Sequence, residues 1–134
     1  MIQKALLVLL VFISLKSNSQ TLETIYKLKS KYQKCLDKGN NMRNCALEYY
    51  NQSDSLLNVS YKNLKAKMSS KEQSKLKKEQ LAWLKKRDQF FQKVYADTKK
   101  EGNFIEGTQD FDMIIYDEQA KFVFGRVKEL IQKG

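Results

Sequence analysis

The chain has no histidine among its 134 residues. That removes the side chain that exchanges protons most readily near neutral pH, and with it the commonest metal-binding imidazole. There is no glycine-rich loop of the phosphate-cradling kind and no nucleophile with an evident base beside it. With no proline and only five glycines, little interrupts the helical patterns described below. No apolar run reaches the roughly 20 residues that a membrane-spanning helix needs. These absences lead us to expect neither an enzyme nor a cofactor. Glu101, Glu106, Asp110 and Asp112 gather near one loop, but their spacing does not follow a calcium-binding loop, and helix capping accounts for the two aspartates.

The first nineteen residues read as an address. Lys4 supplies a short positive region, Ala5 through Leu15 form an unbroken apolar run, and Ser17-Asn18-Ser19 offers small residues for a signal peptidase. We therefore expect a signal peptide over 1–19, a single domain over 20–134 without a transmembrane segment, and a periplasmic or secreted location. Removing the leader takes Lys4 and Lys16 with it and lowers the formal charge from +10 to +8. Inside a cell such a surplus would point to nucleic acid. Outside it the accessible polyanions are lipid head groups, wall polymers and acidic proteins, so no nucleic-acid partner is expected.

The only two cysteines, Cys35 and Cys45, fit the same compartment, where an even count is normally paired. A disulfide closing this short loop would stabilise by about 2–3 kcal/mol; the alternative is a reactive thiol pair.

Past the leader the apolar residues recur at helical spacing. A first helix from near Thr21 carries Leu22, Ile25, Tyr26, Leu28, Tyr32, Cys35 and Leu36 on one broad face and stops at Gly39. Asn40 or Asn41 is placed to cap a second helix over about 42–68. Ser69-x-x-Glu72 reads as a capping box opening a third helix over about 71–100. After a loop at 102–110, Asp110 or Asp112 is placed to cap a fourth helix over about 111–132. Gly125 within that helix would permit a close crossing at some cost in helix propensity. The expected fold is all-α, a long antiparallel helical hairpin with an N-terminal and a C-terminal helix packed on it.

Two polar stripes stand out on the hairpin: Asp54, Asn58 and Tyr61 on the second helix, and Gln80, Trp83, Arg87 and Asp88 on the third. If the chain reverses at Ser69-Ser70, positions equidistant from the turn face each other. Asp54, Asn58 and Arg87 would then form a hydrogen-bonded ion-pair network beside Trp83 that fixes the register of the two helices. The alternative is that Trp83, Arg87 and Asp88 are partly exposed and contact a partner, since tryptophan and arginine are enriched at binding hot spots.

The combined pattern Cys35 … Met42-x2-Cys45-Ala46 … Asp54-x2-Leu57-Asn58-x2-Tyr61-x2-Leu64 … Gln80-x2-Trp83-Leu84-x2-Arg87-Asp88 resembles the LprI-like lysozyme-inhibitor domain family. Met113-Ile114-Ile115-Tyr116 looks like that family's stretch before its last helix. The resemblance implies a small exported helical domain, with lysozyme inhibition belonging to the name-giving branch. Many members carry a second cysteine pair; here the corresponding positions are Phe91 and Gln119, so the last helix would be held by packing.

Two functional readings follow. One is a protein-interaction module that blocks a lysozyme or another wall-degrading glycosidase; animal lysozymes are typically basic and would be repelled at long range by a basic chain, not steered toward it. The other is a basic binder of anionic envelope surfaces or polyanions, through Lys62, Lys65, Lys67, Lys71, Lys75, Lys77 and Lys78 crowding the hairpin tip.

Overall fold

The computed structural model describes residues 22–134, and the expected leader over 1–19 lies outside the described residues. Four helices account for most of the described chain, with no strand among them: α1 over residues 22–37, α2 Met42–Ala66, α3 Ser70–Glu101 and α4 Gln109–Lys133. The boundaries follow local chemistry. Gly39 and Gly102 adopt the left-handed backbone (φ 70° at each) that ends α1 and α3, a conformation costly for residues with a Cβ.

At the start of α3, Ser69 Oγ accepts from the Glu72 amide and the Glu72 carboxylate accepts from the Ser69 amide, completing the expected capping box. Two other caps differ from expectation. Asn41 precedes α2 in the left-handed region (φ 49°), and its side chain makes no capping bond; it serves as a turn residue that tolerates positive φ. The cap of α4 is Thr108, whose hydroxyl accepts from the Phe111 amide, while Asp110 and Asp112 lie within the first turn, where their charge favours the helix dipole.

The helices alternate in direction. Cys35 and Cys45, with Tyr32 stacked on Tyr49 at 4.3 Å, set α1 antiparallel to α2. The α2–α3 turn is held by Gln73, whose amide donates to the Lys65 and Met68 carbonyls, and farther along the pair Tyr50 meets Phe91 edge-on at 5.9 Å. Antiparallel contacts along α3 and α4 run from Tyr95–Phe111 at one end to Glu79–Lys133 at the other. The consequence is that α2 and α4 lie parallel: Arg43 pairs with Asp112, Tyr50 with Tyr116, Tyr49 with Phe124, and Gly134 sits against Leu64.

Among α2, α3 and α4, the α2–α4 seam is the most extensive. Ala46 and Ser53 on α2 and Ala120, Val123 and Val127 on α4 are wholly shielded from solvent. Side chains this small let two helices approach toward the short end of the usual 8–10 Å separation. Around them Leu57, Leu64, Leu76, Trp83, Phe124 and Leu130 complete the core, each stabilising by about 1.5–3 kcal/mol through burial. Gly125, by contrast, faces open space and sits at no close crossing. Leu22 and Tyr26, placed by periodicity on the inner face of α1, are exposed; only Ile25 of that turn enters the core. Phe91 joins an aromatic group with Phe122 and Tyr50, so packing stands where a second bridge would be.

Candidate interaction surface

The polar stripes do not assemble into one network, because α4 occupies the groove between the hairpin arms. Arg87 pairs with its neighbour Asp88, Nη2 to Oδ1 at 2.9 Å and Nε at 3.1 Å, and not with Asp54. The Arg87 guanidinium lies 5.8 Å over the Phe91 ring. Asp54 is half-buried, with no ion-pair partner among the described residues, and its charge together with those of Arg87 and Asp88 bears on the Tyr50 hydroxyl. Asn58 is exposed on the outer side of α2, and Tyr61 packs against the core. The expected cross-hairpin ion pair is therefore replaced by a local one.

Gln80 and Trp83 face a partner that periodicity did not single out. Arg126 of α4 is only 6 % exposed; its Nε donates to Gln80 Oε1 at 3.0 Å and its Nη1 to Glu129 at 2.9 Å. Its guanidinium stands 6.0 Å over the Trp83 ring, while Nη2 has no hydrogen-bond partner among the described residues. Trp83 is itself buried (8 % exposed) and stacked on Phe122 at 5.7 Å, so it is a core residue and not a free surface anchor. The clue to Arg126 was a lone cation in the apolar stretch Phe122-Val123-Phe124-Gly125-Arg126-Val127, in line with Phe122 and Leu130 at four-residue steps.

Tyr32 and Lys121 converge on Asp117, joining α1 to α4. Burial first, and then the Asp117 carboxylate, pushes the Tyr32 hydroxyl well above the ordinary phenol range. The hydrogen bond from Lys121 to Asp117 raises the Lys121 ammonium. The 102–108 loop is tied down by Glu106, which accepts from Tyr95 and pairs with Lys99 at 2.6 Å; both bonds, that to Lys99 foremost, hold the Glu106 carboxyl below its usual range.

Next to the disulfide, α1 and α2 enclose a cavity of about 330 Å³ between Leu28, Tyr32, Asn44, Glu48 and Gln52. No group of three acidic or cysteine side chains converges as a metal site among the described residues. No helix among them is long and apolar enough to cross a membrane.

At the far end of the hairpin, residues 67–69 form the α2–α3 turn, near the end of α4, where Met68 packs against the core. Lys62, Lys67, Lys71, Lys75, Lys77 and Lys78 are exposed and Lys65 partly so. None of the seven has an ion-pair partner among the described residues. Paired, polar and aromatic groups thus hold the helices together, whereas unpaired cations crowd the tip. A family model described as lysozyme inhibitor LprI matches residues 33–130. No curated protein and no solved structure matches the chain.

Proposed function

Because the chain belongs to the LprI family of lysozyme inhibitors, we propose that it is an exported protein-binding domain that blocks a lysozyme or another wall-degrading glycosidase. The observation that carries this reading is the extent of the family match, residues 33–130, which takes in both cysteines, all of α2 and α3 and most of α4. The Cys35–Cys45 bond supports an oxidising location.

The α2–α3 turn is the part of the molecule we assign to entering such a cleft, because unpaired cations gather there. Glycosidases work with two carboxyl groups flanking the scissile bond, one of which must stay protonated to act as the acid. A lysine ammonium placed between them favours the ionised form of both and removes that acid. Lys67 and Lys71, exposed and without ion-pair partners on either side of the turn, are the groups we assign to this role. A partner that is itself basic would be repelled at long range, so its association should quicken as salt screens the two charges; an acidic partner should behave oppositely.

The test is turnover of wall polymer by lysozymes of several classes, with and without micromolar exported protein, at low and physiological salt. Inhibition of at least one class, weakened by Lys67→Glu and Lys71→Glu, is the expected result. Unchanged turnover by every class tested would remove the proposal.

A further inference from the structure

The long helix α3 carries a second charged feature, which starts among the tip lysines and runs the length of the helix away from the turn. At 100° per residue, Lys71, Lys75, Lys78, Lys85, Lys93 and Lys100 fall within one sector about 80° wide. Ala82, Gln89 and Ala96 fill the remaining positions of that sector, and all nine residues are exposed. The acids of the helix, Glu72, Glu79, Asp88, Asp97 and Glu101, all lie outside it. Of the six lysines only Lys93 has an ion-pair partner among the described residues, Asp97, which flanks the ridge. From Lys71 to Lys100 the ridge is about 44 Å long. The opposite side of the same helix is committed to the core through Leu76, Trp83 and Thr98.

We propose that this outer ridge of α3 is a docking surface for a membrane leaflet bearing anionic head groups, on which the helix lies flat. Three observations favour a lipid surface over a linear polymer. The lysines are unevenly spaced along the axis, with gaps of three, four, seven or eight residues. Fluid head groups can gather under any spacing, whereas a polymer with a fixed charge repeat needs a matching register. Alanine and glutamine between the lysines keep the ridge low, so six flexible amines reach one plane together. No large apolar side chain lies within the sector, so the attachment is electrostatic and reversible, without insertion.

The experiment uses the protein recovered from export and vesicles of phosphatidylcholine, alone or mixed with phosphatidylglycerol, with sedimentation as the readout. Binding is expected to the mixed vesicles only and to fall steeply as salt rises. Replacing Lys78, Lys85, Lys93 and Lys100 together by alanine, a substitution that suits an exposed helix, should lower partitioning several-hundred-fold, at about fivefold per lysine. The matched control removes Lys29, Lys34, Lys38 and Lys128, exposed lysines outside α3, and should lower it far less. Equal losses from both sets would mean that net charge alone drives adsorption, and would overturn the assignment. So would equal binding to neutral vesicles, or binding of a linear polyphosphate but not of the mixed vesicles. Lys67 is untouched in both sets and Lys71 is kept, so lysozyme inhibition reports separately on the tip.

Discussion

Arg126 of α4 donates from Nε to Gln80 Oε1 of α3 at 3.0 Å, and this bond, with the Trp83 ring beneath the guanidinium, sets the register between the two helices. The buried cation is held by one amide, one exposed carboxylate and one aromatic face, and is left short of a partner at Nη2. Such a group specifies alignment more than it stabilises.

Arg126→Ala and Arg126→Met should therefore differ. The alanine variant loses the packing of the aliphatic stem and strands Gln80, at a cost of about 2–4 kcal/mol. The methionine variant keeps most of the volume while deleting the under-satisfied charge, and should cost less than about 1.5 kcal/mol. Urea midpoints of the two variants decide it; equal losses would show that the charge, and not the packing, is what the site needs.

Opening the disulfide should affect one part of the molecule before the rest. Cys35–Cys45 closes a sequence separation of 10, so Cys35→Ser with Cys45→Ser should cost about 2–3 kcal/mol. Hydrogen exchange should accelerate first in residues 22–37, because α1 alone depends on the bridge, while amides at the α2–α4 seam stay protected relative to it. Uniform acceleration across all four helices would contradict this order.

Stability should decline at high pH. Burial is the leading cause holding the hydroxyls of Tyr32, Tyr49 and Tyr50 above their ordinary range. An acid whose folded pKa exceeds its unfolded value of about 10 contributes stability that is complete below that value and is lost as pH climbs through the folded pKa. Urea midpoints measured upward from neutral pH should fall beyond about pH 10, and Tyr32→Phe should make the fall shallower. An identical slope in Tyr32→Phe would exclude Tyr32 from the effect.

The capping box at the tip can be tested by two substitutions at one position. Ser69→Ala should cost about 1 kcal/mol and Ser69→Gly only a few tenths. Hydrogen bonds from the Ser69 amide and side chain lower the Glu72 carboxyl below its usual range. A lowered acid stabilises above its unfolded pKa and ceases to do so as pH falls through the folded one, so the gap between wild type and Ser69→Ala should narrow in acid. A gap constant with pH would uncouple Glu72 from the cap.

The sequence announces its helices more clearly than their neighbours. Gly39, Ser69 with Glu72, and Gly102 mark ends by local backbone chemistry, which needs no knowledge of the rest of the fold, while the cysteine pair is legible from an even count behind an export-like leader. Which helices touch is a non-local matter. Ala46, Ser53 and Ser60 recur every seven residues on α2, but small and polar residues do not register as an apolar stripe, so the pattern hides the α2–α4 seam and points to α3 as the direct neighbour of α2. Placing Asp54 opposite Arg87 followed from that assumption. At α4 the two nearby aspartates carry a stronger capping signal in the sequence than Thr108, which makes the cap.

The parallel pairing of α2 and α4 also bears on how the chain is made. Arg43 and Asp112 are 69 residues apart, so the tightest seam requires a large loop to close, unlike the nearest-neighbour hairpins that let most helical proteins fold fast. On a ribosome, which delivers the front of the chain first, Ala46, Ser53 and Leu57 remain uncovered until the segment beyond Phe111 has been synthesised. Were the chain exported, as we propose, this delay would give translocation machinery that accepts only unfolded passengers an interval in which the chain cannot yet lock shut.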